Sequence, residues 1–107
     1  MKESKQIYTM GFWTTKPGKA GEFMAAWQKF AVWTMQNQRG SVGEAKLVQD
    51  ITDPNRFISF GAWAQIEYVQ EWRQRPEFQA FFTEAKELRS DIRPQTLKEV
   101  ITVGNSI

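Results

Sequence analysis

The segment Phe57-Ile58-Ser59-Phe60-Gly61-Ala62-Trp63 is apolar on both of its parities. Successive side chains of a strand point to opposite faces, so this segment offers apolar groups to both sides of its sheet. Gln6 to Thr15 does the same, with Ile7, Gly11 and Trp13 on one parity and Tyr8, Met10 and Phe12 on the other. An antiparallel sheet with helices on one face normally alternates, because its free face meets water. Two strands that do not alternate call for cover on both faces. Helices supply one cover. A second copy of the chain is the simplest other one, since a contiguous exposed apolar patch marks an association surface. A homodimer is therefore expected.

The rest of the chain supplies the helices. Lys16-Pro17-Gly18 is a turn signal, and from Lys19 to Gln38 the period becomes helical, with Phe23, Ala26, Trp27, Phe30 and Thr34 on one stripe. Arg39-Gly40 closes that helix, Gly standing in the usual C-terminal position. Ser41 to Ile51 reads as a second strand, Thr52 to Arg56 as a hairpin loop and Phe57 to Ala64 as the third strand. Gln65 to Arg73 is a short helix with Ile66, Val69 and Trp72 at three-residue steps. Pro76 opens another helix at its favoured first position, carrying Phe78, Phe81, Phe82, Ala85, Leu88 and Ile92. Pro94 is expected to stop it, leaving Gln95 to Val103 as the last strand. The order β-α-β-β-α-β, its second helical region split by Pro76, is the α+β ferredoxin-like plan with an antiparallel sheet. Residues 1–107 read as one domain without repeats or linkers.

Composition removes several chemistries. The chain has no His and no Cys, the side chains most used for proton shuttling, thiolate attack and soft-metal ligation. No carboxylate cluster reads as a hard-metal site, and no Gly-rich phosphate fingerprint is present. A net charge of +2, from scattered Lys and Arg, argues against a nucleic-acid partner. No apolar run is long enough to span a membrane. Without cysteines there is no disulfide framework, and cytoplasmic residence is expected. Five Trp, two Tyr and eight Phe in 107 residues are, by contrast, many. They point to a bulky core and to a cavity for a flat apolar ligand or an additional interface.

The turn Asp53-Pro54-Asn55-Arg56 running into Phe57, Trp63 at the end of that strand, and the spacing Trp63, Trp72, Pro76, Phe78 resemble the antibiotic-biosynthesis monooxygenase family across nearly the whole chain. The resemblance implies a dimeric α+β barrel with a pocket between helices and sheet in each subunit. Some members oxygenate polycyclic aromatic compounds without metal or flavin, some degrade haem, and some have no assigned reaction. The haem-degrading branch uses an Asn on the first strand, a Trp on the short helix and a haem-ligating His about one helix later. Trp72 matches the Trp, but Gly11 and Phe82 stand at the Asn and His positions. The resemblance therefore does not extend to haem oxygenation.

On that basis Trp72 and Tyr68 are the candidate catalytic residues, and Arg73, Trp63, Phe82, Trp27 and Gly11 the candidate substrate-binding ones. No metal or cofactor is expected. Trp72 would line the pocket, or else simply anchor its helix on the sheet. Tyr68 lies one turn earlier and would share that face, its phenol able to donate to a substrate oxygen. For Trp63 the more common role is strand core, and for Arg73 it is a solvated surface charge. Gly11 and Gly61, in strand interiors, signal a close approach by ligand or backbone, or a bulge. Two functions follow: a cofactor-independent monooxygenase acting on a small aromatic or polyketide-like compound, and a non-catalytic dimeric barrel that binds a small apolar molecule.

Overall fold

The computed structural model describes residues 6–104. Its elements run β1 (Ile7–Thr15), α1 (Ala20–Asn37), β2 (Ser41–Gln49), β3 (Arg56–Trp63), α2 (Ile66–Arg73), α3 (Pro76–Leu88) and β4 (Arg89–Lys98). The four strands form one antiparallel sheet in the order β2-β3-β1-β4. β1 and β3 occupy the centre, which is where the two non-alternating segments belong. This is the ferredoxin-like α+β arrangement.

The register sorts the central strands into two faces. Trp13 lies opposite Phe57, Gly11 opposite Ser59, Thr9 opposite Gly61 and Ile7 opposite Trp63. This odd-numbered set meets the helices, and Trp13, Phe57 and Trp63 are buried there. Phe23, Ala26 and Phe30 of α1 and Phe81, Ala85 and Leu88 of α3 close the core over Trp13 and Phe57. The even-numbered set (Tyr8, Met10, Phe12, Ile58, Phe60 and Ala62) points away from the helices and is half-buried.

Polar groups tie the connections down. Thr15, 2 % exposed, donates its backbone N–H to the Asn55 carbonyl at 2.8 Å and its hydroxyl to Asn55 Oδ1 at 3.1 Å. The loop before β3 is thereby fastened to the end of β1. Gly40 turns the chain out of α1 with φ of 97°, and a Cβ there would lie 2.3 Å from Tyr68 Cγ. Only glycine serves at that point.

The end of the chain departs from the sequence reading. Helix α3 stops at Leu88 and not at Pro94, and Ile92 and Pro94 both lie in β4. Ala85, Leu88 and Ile92 keep helical spacing, which made the run look continuous. Arg89 is already extended, with φ −108° and ψ 151°. Pro94 is tolerated because β4 is an edge strand, where a ladder donor is dispensable. Ile101 and Val103 lie beyond the strand and are 78 % and 89 % exposed. On the opposite edge, β2 is irregular between Val42 and Lys46, where Gly43 adopts φ of 69°. Among the described residues no helix is long and apolar enough to cross a membrane.

Candidate functional site

A cavity of about 110 Å³ lies between the helices and the sheet. Its floor is the centre of the helix-side face: Thr9 and Gly11 from β1, Ser59 and Gly61 from β3. Trp27, Phe30 and Thr34 of α1 lean over it, and Trp72, Phe78 and Phe82 from α2 and α3 form a side wall. The wall is made of rings in mutual contact. Trp72 stacks on Phe30 at 5.6 Å between centroids, tilts against Trp63 at 4.8 Å and meets Phe78 edge-on at 4.8 Å. Phe82 packs on Phe78 at 4.6 Å and on Trp13 at 5.7 Å. Trp27, Ala31, Met35 and Ala45 line both this cavity and a surface groove between α1 and β2, so its wall is thinnest there.

Each of three indoles around the cavity has its N–H satisfied by a hydroxyl. Trp13 Nε1 donates to Ser59 Oγ at 2.9 Å, Trp63 Nε1 to Thr9 Oγ1 at 3.0 Å and Trp72 Nε1 to Thr34 Oγ1 at 3.1 Å. Buried indoles need such partners. The first pair explains Gly11. A Cβ on residue 11 would stand 2.7 Å from Trp13 Nε1 and 2.9 Å from Ser59 Oγ, so the object approaching this glycine is the chain's own indole. Gly61 is less constrained, its nearest neighbour being the Ala45 methyl at 3.6 Å.

Six of the seven residues singled out in the sequence (Trp72, Arg73, Trp63, Phe82, Trp27 and Gly11) line this one cavity. Tyr68 does not. Four residues displace it about 6 Å along the helix axis from Trp72, which carries it past the cavity to the chain reversal at Gly40. There it lies beneath the Arg39 guanidinium, 5.3 Å from the ring centroid. Sequence reasoning in turn passed over Thr9, Thr34 and Ser59. The available signal was the tryptophan count, since buried indoles require nearby acceptors.

Among the described residues Arg73 is the only charged one that lines the cavity; its guanidinium donates to Thr96 Oγ1. The nearby carboxylate, Glu71, is occupied elsewhere. It takes hydrogen bonds from Arg39 at 3.1 and 3.2 Å and from Gln38 at 2.8 Å. The bond from Arg39 first, then that from Gln38, holds the Glu71 carboxyl below its ordinary range, and the same pairing raises Arg39. Gln38, 4 % exposed, also accepts from Arg75, so this group clasps the end of α1 to α2 and α3. Among the described residues, no three His, Cys, Asp or Glu side chains gather where they would hold a metal ion.

The four-stranded antiparallel sheet, the helices packed on one of its faces and the aromatic cavity between them define the class of ferredoxin-like α+β domains. Within that class, the chain belongs to the antibiotic biosynthesis monooxygenase family, whose model matches residues 6–84. A protein from Shewanella oneidensis shares the fold with a TM-score of 0.81 at 20 % identity, over 94 % of this chain and 96 % of the other. One from Caulobacter crescentus, proposed to be an antibiotic biosynthesis monooxygenase, has a TM-score of 0.82 at 16 % identity over 92 % of each chain. A third, from Pseudomonas aeruginosa, scores 0.78 at 17 % identity, over 94 % of this chain and all of the other. A search of curated proteins found no match.

Proposed function

We propose that this protein is a monooxygenase acting on a small electron-rich aromatic or polyketide-like compound, using neither metal nor flavin. The observation that carries the reading is the cavity itself, walled by Trp27, Phe30, Trp63, Trp72, Phe78 and Phe82 and furnished with few polar groups. A substrate that ionises to a phenolate or carbanion passes an electron to oxygen directly. The protein then has to hold a flat ring out of water and stabilise the anion with placed donors. For a methylene flanked by aromatic rings the sum balances. One oxygen atom becomes the new carbonyl, and the other leaves as water with the two hydrogens of that carbon. Trp72 holds the ring and Arg73 faces the anion. At about 110 Å³ the cavity admits roughly a single ring; for comparison, an engineered cavity of ~150 Å³ takes benzene. The remainder of a fused substrate would extend towards the groove between α1 and β2.

The experiment is oxygen uptake with a panel from hydroquinones to anthrones, in the presence of chelator and without flavin. The expected result is uptake above the uncatalysed rate, abolished by acid denaturation of the protein. One observation favours a second reading, a ligand-binding barrel without catalysis. Arg73, the one charged lining residue among those described, cannot accept a proton, so the enzyme reading requires a substrate acidic enough to ionise by itself or to water. Ligand binding detected by tryptophan quenching, with no uptake across the panel, would decide for the binding protein. In either reading we place the protein in the cytoplasm as a homodimer joined across the sheet face that carries Tyr8, Met10, Phe12 and Phe60.

A further inference from the structure

The hydroxyls that satisfy the three indoles still have protons of their own. A hydroxyl carries one donor and two acceptor lone pairs. Among the described residues, Thr9, Ser59 and Thr34 each accept one indole N–H and their side chains make no other hydrogen bond. Each therefore retains an O–H with no acceptor among the described residues, on the wall of a largely apolar cavity whose other polar lining residues are Ser41, Arg73 and Gln95. Accepting the indole proton polarises the hydroxyl and strengthens it as a donor, while an unspent donor in apolar surroundings is unfavourable. The register places two of them well. Thr9 faces Gly61 and Ser59 faces Gly11, so the hydroxyls stand at opposite corners of a patch whose other corners have no side chain. Thr34 comes from α1 on the facing side. Among the described residues Arg73 adds the only formal charge, and no Asp or Glu lines the cavity.

We propose that Thr9, Thr34 and Ser59, with Arg73, form a recognition site for ring-borne oxygen. It selects a flat aromatic ligand bearing a phenolate or enolate oxygen over the same ring without oxygen, and rejects a cationic ring. This names the substrate class of the function proposed above and rests on that reading for the substrate's location.

The test uses 4-nitrophenol, whose phenolate is followed by its absorbance, with 4-nitrotoluene and 4-nitrobenzylamine, which share the nitro group, as the counterparts with a methyl and a cationic group in place of the phenol oxygen. The wild-type protein should bind the phenolate about 10-fold more tightly than neutral nitrophenol. This appears as a pKa of the bound phenol lower by about one unit. It should also bind the phenolate at least about 10-fold more tightly than nitrotoluene, and the amine least of all. Thr9→Val, Thr34→Val and Ser59→Ala should each weaken the phenolate several-fold and leave nitrotoluene unchanged, whereas Thr9→Ser and Thr34→Ser should bind as wild type. If a valine variant fails to fold, the shift in the wild-type protein decides alone. A bound nitrophenol with unshifted or raised pKa, or no binding at millimolar probe, overturns the proposal. Neither arm needs turnover. A lowered pKa without oxygen uptake keeps this site and removes the oxygenase; uptake without the shift removes this site alone.

Discussion

The two faces of the central strands are equally apolar in composition and very different in finish. On the helix side, Trp13 and Trp63 are 4 % and 3 % exposed, and both find a hydroxyl for the ring nitrogen from the neighbouring strand. The opposite side carries Tyr8, Met10, Phe12, Ile58, Phe60 and Ala62, all half-buried, and among the described residues no helix is laid over them. The difference teaches that hydrophobicity alone does not separate a core from an association surface. Satisfied indole nitrogens and ring-on-ring contacts mark the core; on the other face Tyr8 donates its hydroxyl to Gln6 Oε1 at 3.2 Å, and among the described residues the rings of that face make no contact with one another.

The largest expected effect comes from removing a ring on the finished side. Trp13→Ala empties the space against Phe23 and Phe81 and should cost about 3–5 kcal/mol in chemical denaturation. Phe12→Ala, one residue away on the other face, should cost about 1 kcal/mol or less in a dissociated protomer. Equal losses would erase the distinction between the faces.

Phe60→Asp comes next. If a second copy covers that face, an unpaired carboxylate placed in it should weaken association by about 3 kcal/mol or more while the protomer stays folded. Sedimentation equilibrium would then show a dimer for wild type at micromolar concentration and a monomer for the variant. A wild-type protein that sediments as a monomer would remove the proposed dimer.

A smaller effect separates two glycines on the finished side. Gly11→Ala drives a methyl against the Trp13–Ser59 pair and should cost about 1–3 kcal/mol in thermal or chemical unfolding. Gly61→Ala meets only the Ala45 methyl at ordinary contact distance and should fall below that. Matching losses would show that both glycines serve the backbone and not the indole.

Much of this was legible in the sequence, for identifiable reasons. The absence of alternation in β1 and β3 marked a sheet that is apolar on both faces, and the period change at Lys19 and Pro76 at the first position fixed α1 and α3. The family resemblance carried by the spacing of Trp63, Trp72, Pro76 and Phe78 implied a pocket between helices and sheet, and Trp63, Trp72 and Phe82 do line one cavity there. The boundary at Leu88 was not legible, because Ile92 continues the helical stripe while belonging to a strand whose opposite partner is Trp13. Tyr68 misled because a shared helical face says nothing about height along the axis. Thr9, Thr34 and Ser59 were silent because small hydroxyl residues carry no periodic signal. Their role shows only when their indole partners are placed beside them.

The two irregular strand edges have a consequence for growth of the sheet. A bare edge is a template for another chain, since its row of free donors and acceptors invites lateral strand addition. Here Pro94 withholds a donor from the middle of β4, and the irregularity at Gly43 puts β2 out of step with any straight ladder. A strand docking on either margin runs out of regular partners after a few residues, so end-to-end polymerisation into fibrils is discouraged. The sheet is thereby closed to lateral growth at both margins by backbone geometry.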